Sequence, residues 1–201
     1  MILREAYHYY GLNLNLIRQD LLSFVEKTLM AIDIIPVKVS DIEQLARISK
    51  TTFIESHGHC ASNADVQDYV DRSFRETVLL DELQEKQNHF YFIRKDMQIA
   101  GYSKIIMNTS YPSINLKPVA KFERLYLLEK FHGLGLGEKL FSHNLQLARS
   151  HSQQALWLFV WVENHQAIRF YQKHDFEIID EQDFKISENH SNPNHIMWRK
   201  L

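Results

Sequence analysis

The chain is poor in cysteine and glycine and has no long hydrophobic run. Cys60 is the only cysteine among 201 residues, which excludes a disulfide framework and a cysteine-ligated zinc site. No stretch approaches the roughly 18 to 20 consecutive apolar residues that a membrane-spanning helix requires. The first 30 residues also lack the apolar core and the small-residue cleavage site of a signal peptide. We therefore expect a cytoplasmic protein that does not bind membranes.

An excess of charge of one sign is also missing, because 23 basic residues stand against 25 acidic ones. The sequence has no run of basic residues that would form a positively charged surface for nucleic acid, so we expect no nucleic-acid partner. A hydrophobic content of 45% and a charged content of 24% are typical of a globular domain. We expect one domain over 30–201, beginning at Met30, and an N-terminal extension of uncertain status over 1–29.

The apolar pattern predicts strands interleaved with helices. Ser40 and Glu43 form a capping-box pattern that predicts a helix start, and Asn63 is the expected cap of a second helix. The other predicted elements are a strand over 32–39, a short helix over about 77–86, a hairpin of strands over 89–94 and 99–107, a loop over 108–119, a strand over 122–128, a long helix after it, a buried strand over 155–162, a helix capped by Asn164, and strands over 176–180 and 195–201. This mixed order favours a three-layer α/β sheet.

Three of the six glycines fall within five residues, between a predicted strand and a predicted helix: Gly133, Gly135 and Gly137. Such a turn can point its backbone amides at an anion such as a diphosphate, reinforced by the positive end of the following helix. The alternative is a tight strand-to-helix connection. Two known phosphate loops are excluded, because Glu138 and Lys139 follow the last glycine and match neither the Walker nor the dinucleotide pattern.

Two spaced motifs carry a resemblance to the GNAT superfamily of acetyl-CoA-dependent N-acetyltransferases. The first family motif is Arg or Gln, two variable residues, Gly, a variable residue, then Gly or Ala; it is matched by HGLGLG at 132–137, with His132 in the first place. The second is an Asn before a helix, followed by Ala and a Phe-Tyr pair, matched by Asn164, Ala167, Phe170 and Tyr171. Asp175 departs from the pattern, since the family commonly has glycine there.

The resemblance covers about 31–201 and is closest to the PaiA-like bacterial spermidine/spermine N-acetyltransferases. It implies three α-β-α layers around a mixed sheet of about seven strands, splayed between the fourth and fifth. It also implies acetyl-CoA as cosubstrate and a small-molecule primary amine as acceptor, with a polyamine as the first expectation. Acetylation of protein amino-termini or aminoglycosides and a non-catalytic CoA-binding sensor are the alternatives, and a homodimer is left open.

The resemblance assigns Glu123 the role of general base, acting directly or through water. A base is needed because an alkyl ammonium has a pKa of about 10.4 and is protonated at pH 7. Strand alternation predicts that Glu123 shares a face with Leu125 and Leu127. The alternative is a structural glutamate paired with Lys121 or Arg124.

The other implied roles concern CoA. Tyr171 would protonate or hydrogen-bond the leaving thiolate, with simple core packing as its alternative. The backbone amides of Leu125, Tyr126 and Leu127 would form an oxyanion hole, and Asn164 would both cap its helix and contact the pantetheine arm. The pyrophosphate would lie against Lys173 and the amides of His132, Gly133, Leu134, Gly135, Leu136 and Gly137.

The eleven histidines and the acidic residues of the first helices are less informative. The sequence has no HExxH or comparable spacing, so we expect no metal site. Four acidic residues either attract a polycationic acceptor or form a solvated helix face: Glu55, Asp65, Asp68 and Asp71.

Overall fold

The computed structural model describes residues 17–19, 32–188 and 190–201. The predicted extension over 1–29 lies outside the described residues apart from 17–19. The strands are β1 (Ile32–Pro36), β2 (Asn88–Lys95), β3 (Gln98–Ile106), β4 (Val119–Leu127), β5 (Ala155–Trp161), β6 (Glu177–Lys185) and β7 (Ser191–Lys200). The α-helices are α1 (Ile42–His57), α2 (Asn63–Ser73), α3 (Glu76–Gln84), α4 (Leu136–Ser150) and α5 (His165–Lys173), and short 3-10 helices span Val39–Asp41 and Glu129–Phe131.

The strands form one sheet in the order β1-β2-β3-β4-β5-β7-β6, in which β4 and β5 are parallel and the other neighbours antiparallel. Helices cover both faces. Phe92 of β2 packs with the helices α1 to α3, whereas its neighbour Ile93 packs with α4, because successive strand side chains point to opposite faces. The predicted three-layer α/β architecture with a mixed sheet of seven strands is confirmed.

The parallel pair β4 and β5 separates soon after it begins. Hydrogen-bonded pairing joins only Val119–Lys121 to Ala155–Trp157, and the strands diverge beyond it. The expected splay between the fourth and fifth strands is therefore present. It leaves one edge of β4 open from Phe122 to Leu127.

A β-bulge at Glu123 corrects one expectation about β4. Lys104 of β3 pairs with Arg124 and Ile105 pairs with Phe122, so Glu123 has no opposite residue. The extra residue breaks the alternation of side chains along β4. Glu123 consequently does not share a face with Leu125 and Leu127, which pack with α4; it lies on the opposite face, beside Arg124.

The two predicted helix caps are each displaced by about one residue. Asp41, not Ser40, precedes α1, and its carboxylate Oδ2 accepts a hydrogen bond from the backbone N–H of Lys38 at 2.8 Å. Ser62, not Asn63, caps α2, because its Oγ accepts from the N–H of Asp65 at 3.2 Å. Adjacent residues that can all cap a helix leave the sequence pattern ambiguous here.

The strand predictions near the C-terminus were too short. The predicted hairpin is confirmed, but β6 continues past 180 to Lys185 and β7 begins before 195, at Ser191. The sequence pattern missed the end of β6 because this strand is largely exposed and has few apolar residues. Asp175, just before β6, has a φ of 60°. A left-handed residue explains why glycine is usual at this position of the family pattern.

Close approach of β3 to β4 requires glycine at position 101. A Cβ atom at Gly101 would lie 2.3 Å from the backbone oxygen of Tyr126 and 2.5 Å from the Leu127 side chain. We expect Gly101→Ala to lower the free energy of unfolding by about 1–3 kcal/mol, since the backbone of β4 must move. Urea denaturation measures the change.

Gly137→Ala is the matched control for this measurement. Its Cβ would meet only the Leu127 side chain at 3.6 Å, an ordinary contact, so the stability should stay the same or rise slightly. Equal stabilities for the Gly101 and Gly137 variants would contradict the proposed crowding between β3 and β4.

Candidate active site

Two cavities meet where β4 and β5 separate. The larger, of about 720 Å³, runs along the cleft between the strands and past the N-termini of α4 and α5. The smaller, of about 130 Å³, lies on the α1 and α2 side and contains Glu123 in its wall. Six residues line both cavities: Leu125, Tyr126, Trp161, Asn164, Ala167 and Tyr171. A group in the larger cavity can therefore reach a group in the smaller one.

The glycine-rich turn forms one end of the larger cavity. Gly133 and Gly135 have φ angles of 75° and 72°, so both use the left-handed conformation that favours glycine. Gly135 directly precedes α4, whose first backbone N–H groups have no partner within the helix. Together with the positive end of the helix, these N–H groups suit a phosphate.

The predicted phosphate-site residues divide into two sets. His132, Gly133, Gly135, Leu136 and Gly137 line the larger cavity, whereas Leu134 is 49% exposed and does not. His132 Nε2 lies 3.1 Å from the carbonyl oxygen of Leu127 and donates to it, so its side chain ties the turn back to β4. Lys173 is exposed at the C-terminal end of α5 and lines neither cavity, because residues two apart on a helix point in different directions and it is Tyr171 that faces the cavities.

The open edge of β4 presents backbone donors to the cleft. The N–H of Leu128 donates to the carbonyl oxygen of Ala100 on β3. Because the N–H groups of successive strand residues point to opposite sides, those of Leu127 and Leu125 point away from β3, toward the gap. The N–H of Tyr126 faces β3 instead, and it is the Tyr126 side chain that borders both cavities. Of the three predicted amides, those of Leu125 and Leu127 therefore face the gap and that of Tyr126 does not.

Asn164 and Tyr171 bring α5 to the junction of the cavities. The side-chain oxygen of Asn164 accepts from the N–H of Ala167 at 3.0 Å, which confirms the predicted helix cap. Tyr171 packs near the rings of Phe141 and Phe176, and burial raises its pKa well above the usual value. A phenol that keeps its proton at neutral pH can act as a proton donor.

Glu123 lies in the small cavity next to a cation. Its Oε2 is 2.5 Å from Nζ of Lys121, so the ion pair that was the alternative for this residue is present. Burial alone would raise the pKa of Glu123, but the charges of Lys121, Arg124 and Lys104 outweigh it and lower the pKa. The carboxylate is ionised at neutral pH and able to accept a proton.

A family model described as the acetyltransferase (GNAT) family matches residues 42–176, most of the chain. The chain belongs to this family. It is therefore an enzyme of the N-acetyltransferase class, as the two motifs indicated. The match runs from the start of α1 to the residue before β6. It therefore includes β4, β5, α4 and α5, which border the two cavities.

Individual relatives of this GNAT chain are distant. An uncharacterised N-acetyltransferase of Lactobacillus delbrueckii subsp. lactis is 28% identical over 79% of the chain and 91% of its own length. A second uncharacterised N-acetyltransferase, from Mycobacterium bovis, is 25% identical over 81% of the chain and 99% of its own length. Among solved structures, PaiA N-acetyltransferase of Thermoplasma acidophilum superimposes with a TM-score of 0.69 at 19% identity, covering 86% of this chain and all of that one. This structural likeness shows a shared fold.

A buried charge network supports the bulge that carries Glu123. Glu82 of α3 accepts from both terminal nitrogens of Arg124, at 2.7 and 3.0 Å, and also pairs with Nζ of Lys104 at 3.1 Å. Arg124 further packs on the Phe74 ring. Nothing in the sequence predicted this network, because Glu82 lies in a different helix and meets β4 only in the folded chain.

His57 and Trp161 are cavity residues to which the sequence pattern assigns no role, whereas Lys121 is predicted only as a possible partner of Glu123. The His57 ring stacks on Phe53, and burial, reinforced by neighbouring His59, lowers the pKa of His57 to about 4. The imidazole is neutral at pH 7. The signal available in the sequence was the two-residue spacing of Lys121 and Glu123, which puts them on one face of a strand.

The acidic side chains of the first helices are mostly engaged on the surface. Asp71 pairs with Lys50 and Asp68 with Arg72, each at 3.1 Å, while Asp65 joins Ser62 at the start of α2. Glu55, at the cleft, accepts from the N–H of Glu129. These contacts favour the solvated-face interpretation of the cluster on α2.

Two further observations concern the described part of the chain alone. Over residues 17–19, 32–188 and 190–201, no helix is both long and apolar enough to cross a bilayer. In those same ranges, no three histidine, cysteine, aspartate or glutamate side chains gather so that they could hold a metal ion.

Removing the shared carboxylate should destabilise the site strongly. In Glu82→Gln, Arg124 and Lys104 lose their buried counter-ion, and we expect the free energy of unfolding to fall by about 3–5 kcal/mol. Chemical denaturation measures this loss.

Asp68→Asn is the control, because it breaks an exposed ion pair with Arg72. Its expected cost is under about 1 kcal/mol. A Glu82 variant as stable as this control would show that the network does not hold β4 in place.

Proposed function

We propose that the protein transfers an acetyl group from acetyl-CoA to a primary amine, with both substrates bound at once. The observation that carries this proposal is the junction of the two cavities at the β4–β5 splay. A cleft with an anion-binding turn opens at this junction onto a smaller cavity that holds an ionised carboxylate.

The larger cavity fits CoA by its own chemistry. The free N–H groups at the start of α4 and the left-handed turn at Gly133 and Gly135 suit the pyrophosphate. The unpaired edge of β4 offers hydrogen bonds to the amide groups of a pantetheine arm, and Asn164 borders it. Thermoplasma PaiA, which shares the fold, was crystallised with coenzyme A.

Different residues assist different steps of the proposed reaction. Acetyl-CoA supplies an acetyl group activated as a thioester. Glu123 accepts one proton from the acceptor ammonium, directly or through water, which frees the nitrogen lone pair to form the new C–N bond. The N–H groups of Leu125 and Leu127 stabilise the negative charge on the acetyl oxygen, and Tyr171 gives its proton to sulfur as the C–S bond breaks. The second proton of the attacking nitrogen then restores the phenol, so the products are the amide and CoA thiol, and Glu123 releases its proton to solvent.

The polyamine acceptor implied by the sequence resemblance has less support than the reaction. The acidic residues expected to attract a polycation, Asp68 and Asp71, are paired with Arg72 and Lys50. Our proposal for the acceptor is accordingly a primary amine. We also propose a cytoplasmic location, which rests on the single cysteine, Cys60, free and buried in the fold.

Two isosteric variants test the catalytic assignments. We expect Glu123→Gln and Tyr171→Phe each to lower kcat by about 10²- to 10⁴-fold, the usual contribution of a general base or acid. Release of free CoA thiol measures turnover, and calorimetry should show CoA binding unchanged in both.

The matched controls are Glu188→Gln and Tyr111→Phe, which change the same groups outside both cavities. Both should keep full activity. Unaltered turnover in the Glu123 and Tyr171 variants would overturn the assigned roles, and CoA binding without any turnover in the unaltered protein would indicate a CoA sensor.

The ion pair of Glu123 predicts a pH effect. The ionised carboxylate is present above its lowered pKa and is lost as the pH falls through it. Lys121→Met removes the nearest cation and raises this pKa, so kcat/KM should begin to fall at a higher pH on the acid side. Lys50→Met, which breaks only a surface pair with Asp71, should leave the profile in place; a shared shift would contradict the assignment.

A further inference from the structure

The small cavity beside Glu123 has the size of a single ring. Its volume is about 130 Å³, and an apolar cavity of roughly 150 Å³ is known to hold a benzene molecule. An extended chain of ten or more heavy atoms exceeds this volume and would have to continue into the adjoining cleft. Because the cavity adjoins the cleft at Tyr126 and Tyr171, its occupant would lie next to the acetyl group.

Aromatic rings form much of the wall. Phe53 stacks on Tyr69 with ring centroids 4.6 Å apart, and Phe53 also contacts Phe74 at 5.5 Å. Tyr69 in turn meets Phe184 of β6 edge to face at 5.8 Å. These rings come from α1, α2 and β6, together with Phe74 just after α2, so packing between elements fixes the shape of the cavity. Rings in fixed positions favour a flat apolar group.

The charges around the cavity exclude a second ammonium group. Among the residues that the structure describes, Glu123 is the one carboxylate in the wall, and it already faces Lys121. The neighbouring cations Arg124 and Lys104 share Glu82 as their counter-ion. Two carboxylates thus stand against three cations, while His57 on α1 is neutral. The ammonium of the acceptor has the Glu123 carboxylate to face, but a second positive charge would be buried without a partner, which is strongly unfavourable.

We infer that the acceptor is a primary amine attached to one ring, or to an apolar group of that size, with no second positive charge. The inference rests on the proposed acetyl transfer and specifies its substrate class. The cavity volume, the aromatic wall and the local excess of cations carry it together. An arylalkyl amine meets these conditions, and a polyamine does not.

Four amines separate the size and charge requirements. Benzylamine has one ring and one charge, ethylamine lacks the ring, 1,4-bis(aminomethyl)benzene adds a second charge to the same ring, and spermidine is the polyamine. Thiol release from acetyl-CoA is measured with each. We expect kcat/KM for benzylamine to exceed that for each of the other three by at least tenfold.

The outcomes distinguish the acceptor class from the reaction. Equal or better turnover of spermidine or of the diamine would overturn the inference and leave acetyl transfer established. Calorimetric binding of benzylamine to the CoA-saturated protein is measured in parallel. Binding without turnover would support the inference while the proposed catalysis fails, and absence of both would overturn the inference.

A charge variant gives a readout that folding alone would not change. Lys121→Met leaves Glu123 without its nearest cation, so the benzylamine-to-spermidine ratio of kcat/KM should fall at least fivefold. Lys50→Met is the control, since Lys50 pairs with Asp71 outside the cavity, and its ratio should stay unchanged. An unchanged ratio in the Lys121 variant would count against the charge argument.

Discussion

The early separation of β4 from β5 is the constraint on which the rest of this structure depends. Backbone groups in a folded interior normally find partners, yet pairing stops at Lys121 and Trp157. The carbonyl of Leu127 is satisfied by His132, while the N–H groups of Leu125 and Leu127 face the opening. The unpaired edge is useful because a substrate with amide and carbonyl groups can complete it, and the N-termini of α4 and α5 converge on the same opening.

One charge network sets two properties of the site. The bulge at Glu123 turns two consecutive charged residues, Glu123 and Arg124, to the same face, and Glu82 compensates the second of them. The cations that remain near Glu123 keep its carboxylate ionised, ready to accept a proton. The same cations make the small cavity unfavourable for a second positive charge beside the amine that reacts. The proposed proton acceptance and the proposed acceptor selectivity thus both depend on one arrangement of charges.

Short sequence patterns predicted most of the helices and strands and the part of the site formed by the glycine-rich turn and the start of α5. The continuous apolar run of β5, the glycine-rich turn and the Asn164 cap all depend on short stretches of chain, and each was predicted correctly. The errors arose where neighbouring residues have similar preferences, as at Ser62 and Asn63, or where exposed strands carry little apolar pattern, as in β6.

The sequence by itself determined the family, the three-layer α/β architecture and the position of the glycine-rich turn, because motif spacing and apolar periodicity are properties of the chain alone. Only the tertiary structure decided which face Glu123 occupies, because a single unpaired residue in β4 reverses the alternation without a local signal. It also decided that Glu82, His57 and Phe184 surround the site. Those residues are far apart in sequence and meet only when helices and strands pack across the sheet, so their contacts, charges and enclosed volume are set by packing.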